Sequence, residues 1–187
     1  MATSQTLVKT TSPDLLNALI GFCTEYASPP LVDSEHVLDG FGCNRTLPSD
    51  GNDFVVVTPI SQTREGTDIP LFPAGEDQQE LREYVAVDVQ IDCYSANNFD
   101  AMDRAQTYET VTRSDVGVAF FKRFDIDCQY SDSSRNLSAV LDDDRYVSRW
   151  TLVIRLGYWK SVKVTQQFFN SVNIGLKEAD VHFKPKD

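Results

Sequence analysis

The run RYVSRWTLVIRLGYW, residues 145–159, constrains the fold of this chain more than any other. Trp150, Leu152, Ile154, Leu156 and Tyr158 alternate with Arg149, Thr151, Val153 and Arg155, the period of two that marks a strand with one buried and one polar face. At about 3.3 Å per residue the run would reach about 50 Å, far beyond the usual strand of roughly five or six residues. It therefore either bends at Gly157 or extends past its own domain. A second run, EYVAVDVQIDCY at 83–94, alternates in the same way. Val85, Val87, Val89, Ile91 and Cys93 fall on one face, and Tyr84, Ala86, Asp88, Gln90, Asp92 and Tyr94 on the other; the odd positions go to the core.

The remaining segments sort around these two strands. Pro13 after Ser12 predicts a helix start, and Leu15, Leu16, Leu19, Ile20, Cys23 and Tyr26 recur at helical spacing until Pro29 and Pro30 end it. Residues 1–11 read as an N-terminal arm. Residues 28–52 read as a long loop with a short element near Val37, and 61–80, carrying Gly66, Pro70, Pro73 and Gly75, as a second long loop leaving the sheet edge. Between them DFVVVTPI, 53–60, has the β-branched content of an interior strand. Asn97 or Asn98 caps a second helix whose Phe99, Met102, Ala105 or Gln106, and Tyr108 share a side, ending near Ser114. VGVAFFKRF and IDCQYS read as short strands, or as one strand broken by Asp125; NIGLKEADVHF reads as a final strand, and 184–187 as a charged tail. With 187 residues, one domain spanning 1–187 is expected.

Composition narrows the function. The formal charge of -11 leaves no basic excess for holding nucleic acid or an anionic membrane. No run approaches the roughly 18 apolar residues that span a bilayer, and the N-terminus lacks a signal-peptide pattern, so a soluble cytosolic protein is expected. Cys23, Cys43, Cys93 and Cys128 are widely spaced, with only His36 and His182 to complete a metal site. They read as reduced thiols, Cys23 and Cys93 on apolar faces, and no metal or cofactor is expected. The sharpest enzymatic reading makes Asp88 and Asp92 the carboxylates of a metal-dependent nuclease. The strand offers no lysine at the matching spacing, and a half-exposed strand shows the same pattern without catalysis. LDDDRY at 141–146 reads as a solvated turn, both histidines as surface or turn residues, and no phosphate-loop motif occurs. What remains is exposed pairing potential. Asp88, Gln90, Asp92, Arg149, Trp150 and Arg155 are the interface candidates, on strands suited to extending a neighbour's sheet.

The blocks VAVDVQIDCY (85–94), AMDRA in the following helix, YVSRWTLVIRLGY (146–158) and VTQQFFNSVNIGLKEAD (164–180), in that order, resemble the tail or neck terminator proteins of long-tailed bacteriophages. The resemblance covers about residues 10–180. It implies an α+β fold, a mainly antiparallel sheet with two helices packed on one face, and a long strand or hairpin extends from the domain. It also implies a non-enzymatic virion protein at the head–tail junction, made in the host cytoplasm. Six copies would form a homo-hexameric ring that caps the head-proximal end of the tail tube and joins it to the neck. The partners implied are further copies of the chain, the tail tube protein and the head–neck connector or stopper protein, with the tail sheath protein a further candidate. DNA passes the bore without specific binding, and no membrane is involved. A stopper or adaptor ring is the alternative within structural proteins.

Overall fold

The computed structural model describes residues 8–11, 13–40, 53–73, 78–141 and 145–165. In chain order the elements are β1 (Val8–Thr11), α1 (Leu15–Glu25), a 3-10 turn (Ser34–His36), β2 (Val37–Asp39), β3 (Phe54–Leu71), β4 (Gln78–Ser95), α2 (Asn98–Thr112), α3 (Asp115–Lys122), β5 (Ile126–Ser131), β6 (Arg135–Asn136), β7 (Ala139–Leu141) and β8 (Arg145–Thr165). The sheet runs β1-β8-β4-β3-β2, and β5, β6 and β7 also pair with β8. All these pairings are antiparallel except the short parallel β2–β3 contact. The fold is α+β, as the resemblance implies.

Register explains why one face of this sheet is the core. Ile91 pairs with Leu152, Val89 with Ile154 and Val87 with Leu156, while Val57 faces Ile91 and Val55 faces Cys93 from β3. All are buried, and they form one cluster with Leu19, Phe22, Tyr108, Phe120 and Phe121 from the three helices. Each such aliphatic side chain contributes about 1.5–3 kcal/mol by leaving water, so the helices are held on this face and no other. Phe22 sits at the centre, 4.9 Å from Phe121, 5.6 Å from Phe120 and 5.9 Å from Tyr108 between ring centroids. The Tyr108 hydroxyl donates to the Cys23 carbonyl at 2.6 Å, which satisfies the one polar atom of that ring. Cys23 and Cys93 are buried free thiols on this face, as their positions predict, and burial raises both well above the usual thiol range.

Several expectations need correction. The loop expected over 61–80 is largely strand, because 61–71 continue β3 and 78–80 begin β4. The prolines and Gly66 that suggest a loop are tolerated because this part of β3 is an edge. The register shifts after Pro59 and between Glu65 and Ile69, and Gly66 takes φ +84 within that second bulge. In the expected loop at 28–52, the short element near Val37 is β2; residues 41–52 lie outside the described residues. Part of the expected arm, Val8–Thr11, is a strand on β8. The first helix is capped by Asp14, not opened at Ser12, its carboxylate accepting the Asn17 N–H at 3.1 Å. VGVAFFKRF is not a strand: Asp115–Lys122 form a third helix beside the two expected. His36 lies in a turn but is buried, its Nδ1 2.8 Å from Asp33 Oδ1. The acidic residues 142–144, Cys43, His182 and the expected final strand lie outside the described residues.

The helices cover only half the length of the sheet. β3 is buried at Phe54, Val55 and Val57 and exposed from Ile60 to Pro70, and neither 78–84 nor 159–165 contains a buried residue. Beyond the body, β3, β4, β8 and β1 therefore continue as a blade with little covering either face among the described residues. This is the extension that the length of the 145–159 run predicts, and it is built from a hairpin, β3–β4, as well as from β8.

Candidate functional site

The even positions of β4 and the odd positions of β8 form the face opposite the helices. Asp88 pairs with Arg155, Gln90 with Val153, Asp92 with Thr151 and Tyr94 with Arg149. Five of the six interface candidates, Asp88, Gln90, Asp92, Arg149 and Arg155, meet here. Trp150 does not. It pairs with Cys93 and so projects to the helix side, half-buried against the core, with its indole N–H 3.2 Å from Asn98 Oδ1.

The polar groups on this face form two clusters. In the first, Arg149 grips Asp92 with two parallel bonds, Nε to Oδ1 at 3.1 Å and Nη2 to Oδ2 at 3.0 Å. This fork geometry gives an arginine–carboxylate pair direction as well as strength. Gln90 donates a further bond to Asp92 Oδ2 at 2.8 Å. The guanidinium also lies 5.8 Å from the centre of the Tyr94 ring, which stacks on Phe54 at 4.6 Å. The hydrogen bonds to Asp92 raise the Arg149 pKa against the opposing effect of burial. In the second cluster, Arg155 spans three strands. Its Nη1 reaches Asp88 Oδ1 at 3.2 Å on β4, and its Nη2 reaches Glu65 Oε1 at 2.8 Å on β3. Ser61 on β3 donates to Asp88 Oδ2 at 2.6 Å. The bond to Glu65 is the main cause of the raised Arg155 pKa.

The blade end of the face carries Tyr84. Its hydroxyl donates to Asp127 Oδ2 at 3.0 Å and accepts from Gln129 Nε2 at 3.0 Å, and its ring meets half-exposed Trp159 edge-on. Ser61, Glu65, Phe54 and Asp127 are parts of the face that sequence reasoning missed. Ser61 and Glu65 were hidden by the loop reading of 61–80. Tyr84 and Tyr94 were already legible on the polar side of the alternation, as aromatic residues placed among carboxylates.

Chemically, this face is occupied. Asp88 and Asp92 are four residues apart on an extended strand, about 13 Å along it, and each is drawn to a different arginine. A shared divalent ion needs converging oxygens at about 2–2.6 Å, and among the described residues no group of His, Cys, Asp and Glu converges in that way. Asp92 is nearly buried at 5% side-chain exposure, whereas Asp88 keeps 26%. Asp88 is therefore the carboxylate that a neighbouring molecule can still reach.

A sheet covered by helices on one side and carrying arginine–carboxylate ladders on the other defines an α+β protein. A family model described as phage neck terminator protein matches residues 43–180, and the chain belongs to that family. No curated protein matches it significantly. It is thus a structural protein of the phage neck, and among the described residues no helix is long and apolar enough to cross a membrane.

Proposed function

We propose that the chain is a tail terminator, six copies of which close into a ring that caps the head-proximal end of the tail tube and joins it to the head–neck connector. The observation that supports this best is the blade. Among the described residues its four strands have little packed on either face, and a sheet without a covered apolar face or a helix against it lacks independent stability. A neighbouring copy or the tube supplies the missing layer. The tube protein, the connector or stopper protein and the sheath protein are the partners this position provides.

The open face suits the wall of a bore through which DNA slides. An arginine presented to a passing phosphate would retain it. Here both guanidinium groups are already committed to Asp92, Asp88 and Glu65, and Asp127 adds a further negative charge. The overall charge of -11 acts in the same direction.

Cryo-electron microscopy of the virus particle that encodes this chain tests the proposal. The expected result is a sixfold ring of this chain seated on the last layer of the tube. Density on the head side of the junction would make it a stopper or adaptor ring instead. Absence from the particle would overturn the terminator reading.

A further inference from the structure

We infer that copies of this chain join through the blade by strand pairing, the outer edge of β1 in one copy bonding antiparallel to the outer edge of β3 in the next. The inference deepens the ring reading and rests on it.

Strand edges are where a sheet can grow, because each edge strand leaves a row of N–H and C=O groups without partners. On the body of this protein the edges are occupied. β2 pairs with Val55–Val57 on one side, and β7, β6 and β5 line β8 at intervals from Arg145 to Tyr158 on the other. On the blade no further described strand lines them. Among the described residues no strand pairs with β3 beyond Val57 on the side away from β4, and none pairs with β1 on the side away from β8. The two open edges also lie at one level, since Lys9 is in register with Lys163, Lys163 with Glu80, and Glu80 with Leu71.

Strand direction decides which occupant fits. Three successive antiparallel pairings make β3 and β8 run one way and β4 and β1 the other. Copies placed side by side by rotation about one axis bring β1 of one against β3 of the next, and the up-down alternation continues across the junction unbroken. Such a contact uses two different surfaces, the kind that closes into a ring when the rotation permits. The lengths also agree. β1 has 4 residues, and at its level β3 presents Ile69–Leu71, in register with Arg82–Glu80. The bulge between Glu65 and Ile69 bounds that stretch, which keeps the edge from pairing over a greater length.

Within one copy β1 and β3 are three strand spacings apart, about 14 Å at about 4.8 Å each. A disulfide needs Cα atoms within about 7 Å, so a disulfide between these strands has to link two copies. The test uses the full chain with Lys9→Cys combined in turn with Thr63→Cys, Ile69→Cys and Leu71→Cys, all positions of one face by register. Each single variant serves as control. Mass in solution is measured first, then oxidation is followed on non-reducing gels. The expected result is a closed oligomer in which at least one pairing gives a ladder of linked copies ending at the full ring, while single variants give none. A closed oligomer with no ladder from any pairing would overturn the edge contact and leave the ring reading standing; it is also the outcome if the chain's own residues 166–187 or another protein's strand fill these edges. A chain that neither oligomerises nor links would overturn both. Hydrogen exchange on the wild-type oligomer gives a readout free of cysteine effects, with Val8–Thr11 and the Ile69 and Leu71 amides protected together only if they pair.

Discussion

Arg104 is the largest side chain buried completely, on the core face of α2. Its Nε donates to the Pro29 carbonyl at 3.1 Å and its Nη1 to the Tyr94 carbonyl at 3.3 Å, while Nη2 has no hydrogen-bond partner among the described residues. One side chain thus ties the segment after α1 to the end of β4, beneath the ring that supports Arg149 on the opposite face. Arg104→Ala removes both bonds and leaves a cavity, so it should cost about 3–5 kcal/mol. Arg104→Met refills much of the volume, loses only the bonds, and should cost less. Urea unfolding of the full chain measures both, and a loss below about 1 kcal/mol for the alanine variant would show that the clamp does not hold the fold. Sequence periodicity missed this residue for a physical reason. An arginine counts as polar in any amphipathic pattern, so the helix face was placed on Phe99, Met102, Ala105 or Gln106, and Tyr108. In the structure Ala105 and Tyr108 are buried as expected, but Phe99 is 66% exposed and Ala101, Arg104 and Thr112 complete the buried stripe. Asp88, Gln90, Asp92, Arg149 and Arg155 were legible together because strand alternation assigns a face without reference to what pairs with what.

At the level of elements, α3 shows where alternation runs out as a guide. VGVAFFKR is a short apolar run, which periodicity alone cannot divide between a strand and one side of a helix. Ser114 and Asp115 begin it as a helix, and the deciding contact is tertiary: Phe120 and Phe121 both enter the cluster around Phe22. That packing brings α3 against the end of α2 so closely that a Cβ on Gly117 would overlap the Val111 carbonyl oxygen. Backbone cannot yield as a flexible side chain can. Gly117→Ala should therefore destabilise the chain by about 2 kcal/mol or more despite the better helix propensity of alanine. Thermal or urea unfolding decides, and a neutral or stabilised variant would mean that the helices can part without loss. The hairpin β3–β4 failed to be read in the opposite way. Its strand character was masked by Pro59, Gly66 and Pro70, which signal a loop unless the strand is known to be an edge, and edge position is a property of the sheet, not of the segment.

For the whole molecule, the two faces of the sheet decide how the proposed ring would be oriented. Helices cover one face of the body and add a layer about 10 Å thick. Rolling the sheet with that layer inward would crowd the three helices of every copy toward one axis, whereas rolling it outward leaves the Asp88, Arg155 and Asp92 face lining the bore. A cysteine at Val153, half-buried between Arg155 and Thr151 on the open face, and one at Thr110, exposed on α2, report the two sides. Labelling with a bulky maleimide polymer should modify Thr110→Cys at the same rate in the free chain and in the particle. Val153→Cys should react in the free chain and be strongly protected in the particle, where only the narrow bore leads to it. Of the native thiols, Cys23 and Cys93 are buried and burial pushes Cys128 up to about 11, leaving little thiolate at neutral pH, and Cys43 is replaced by serine in every variant. Protection of Thr110→Cys with free labelling of Val153→Cys would reverse the orientation, and it would place the arginine–carboxylate face on the outside of the neck, against a protein partner and away from DNA.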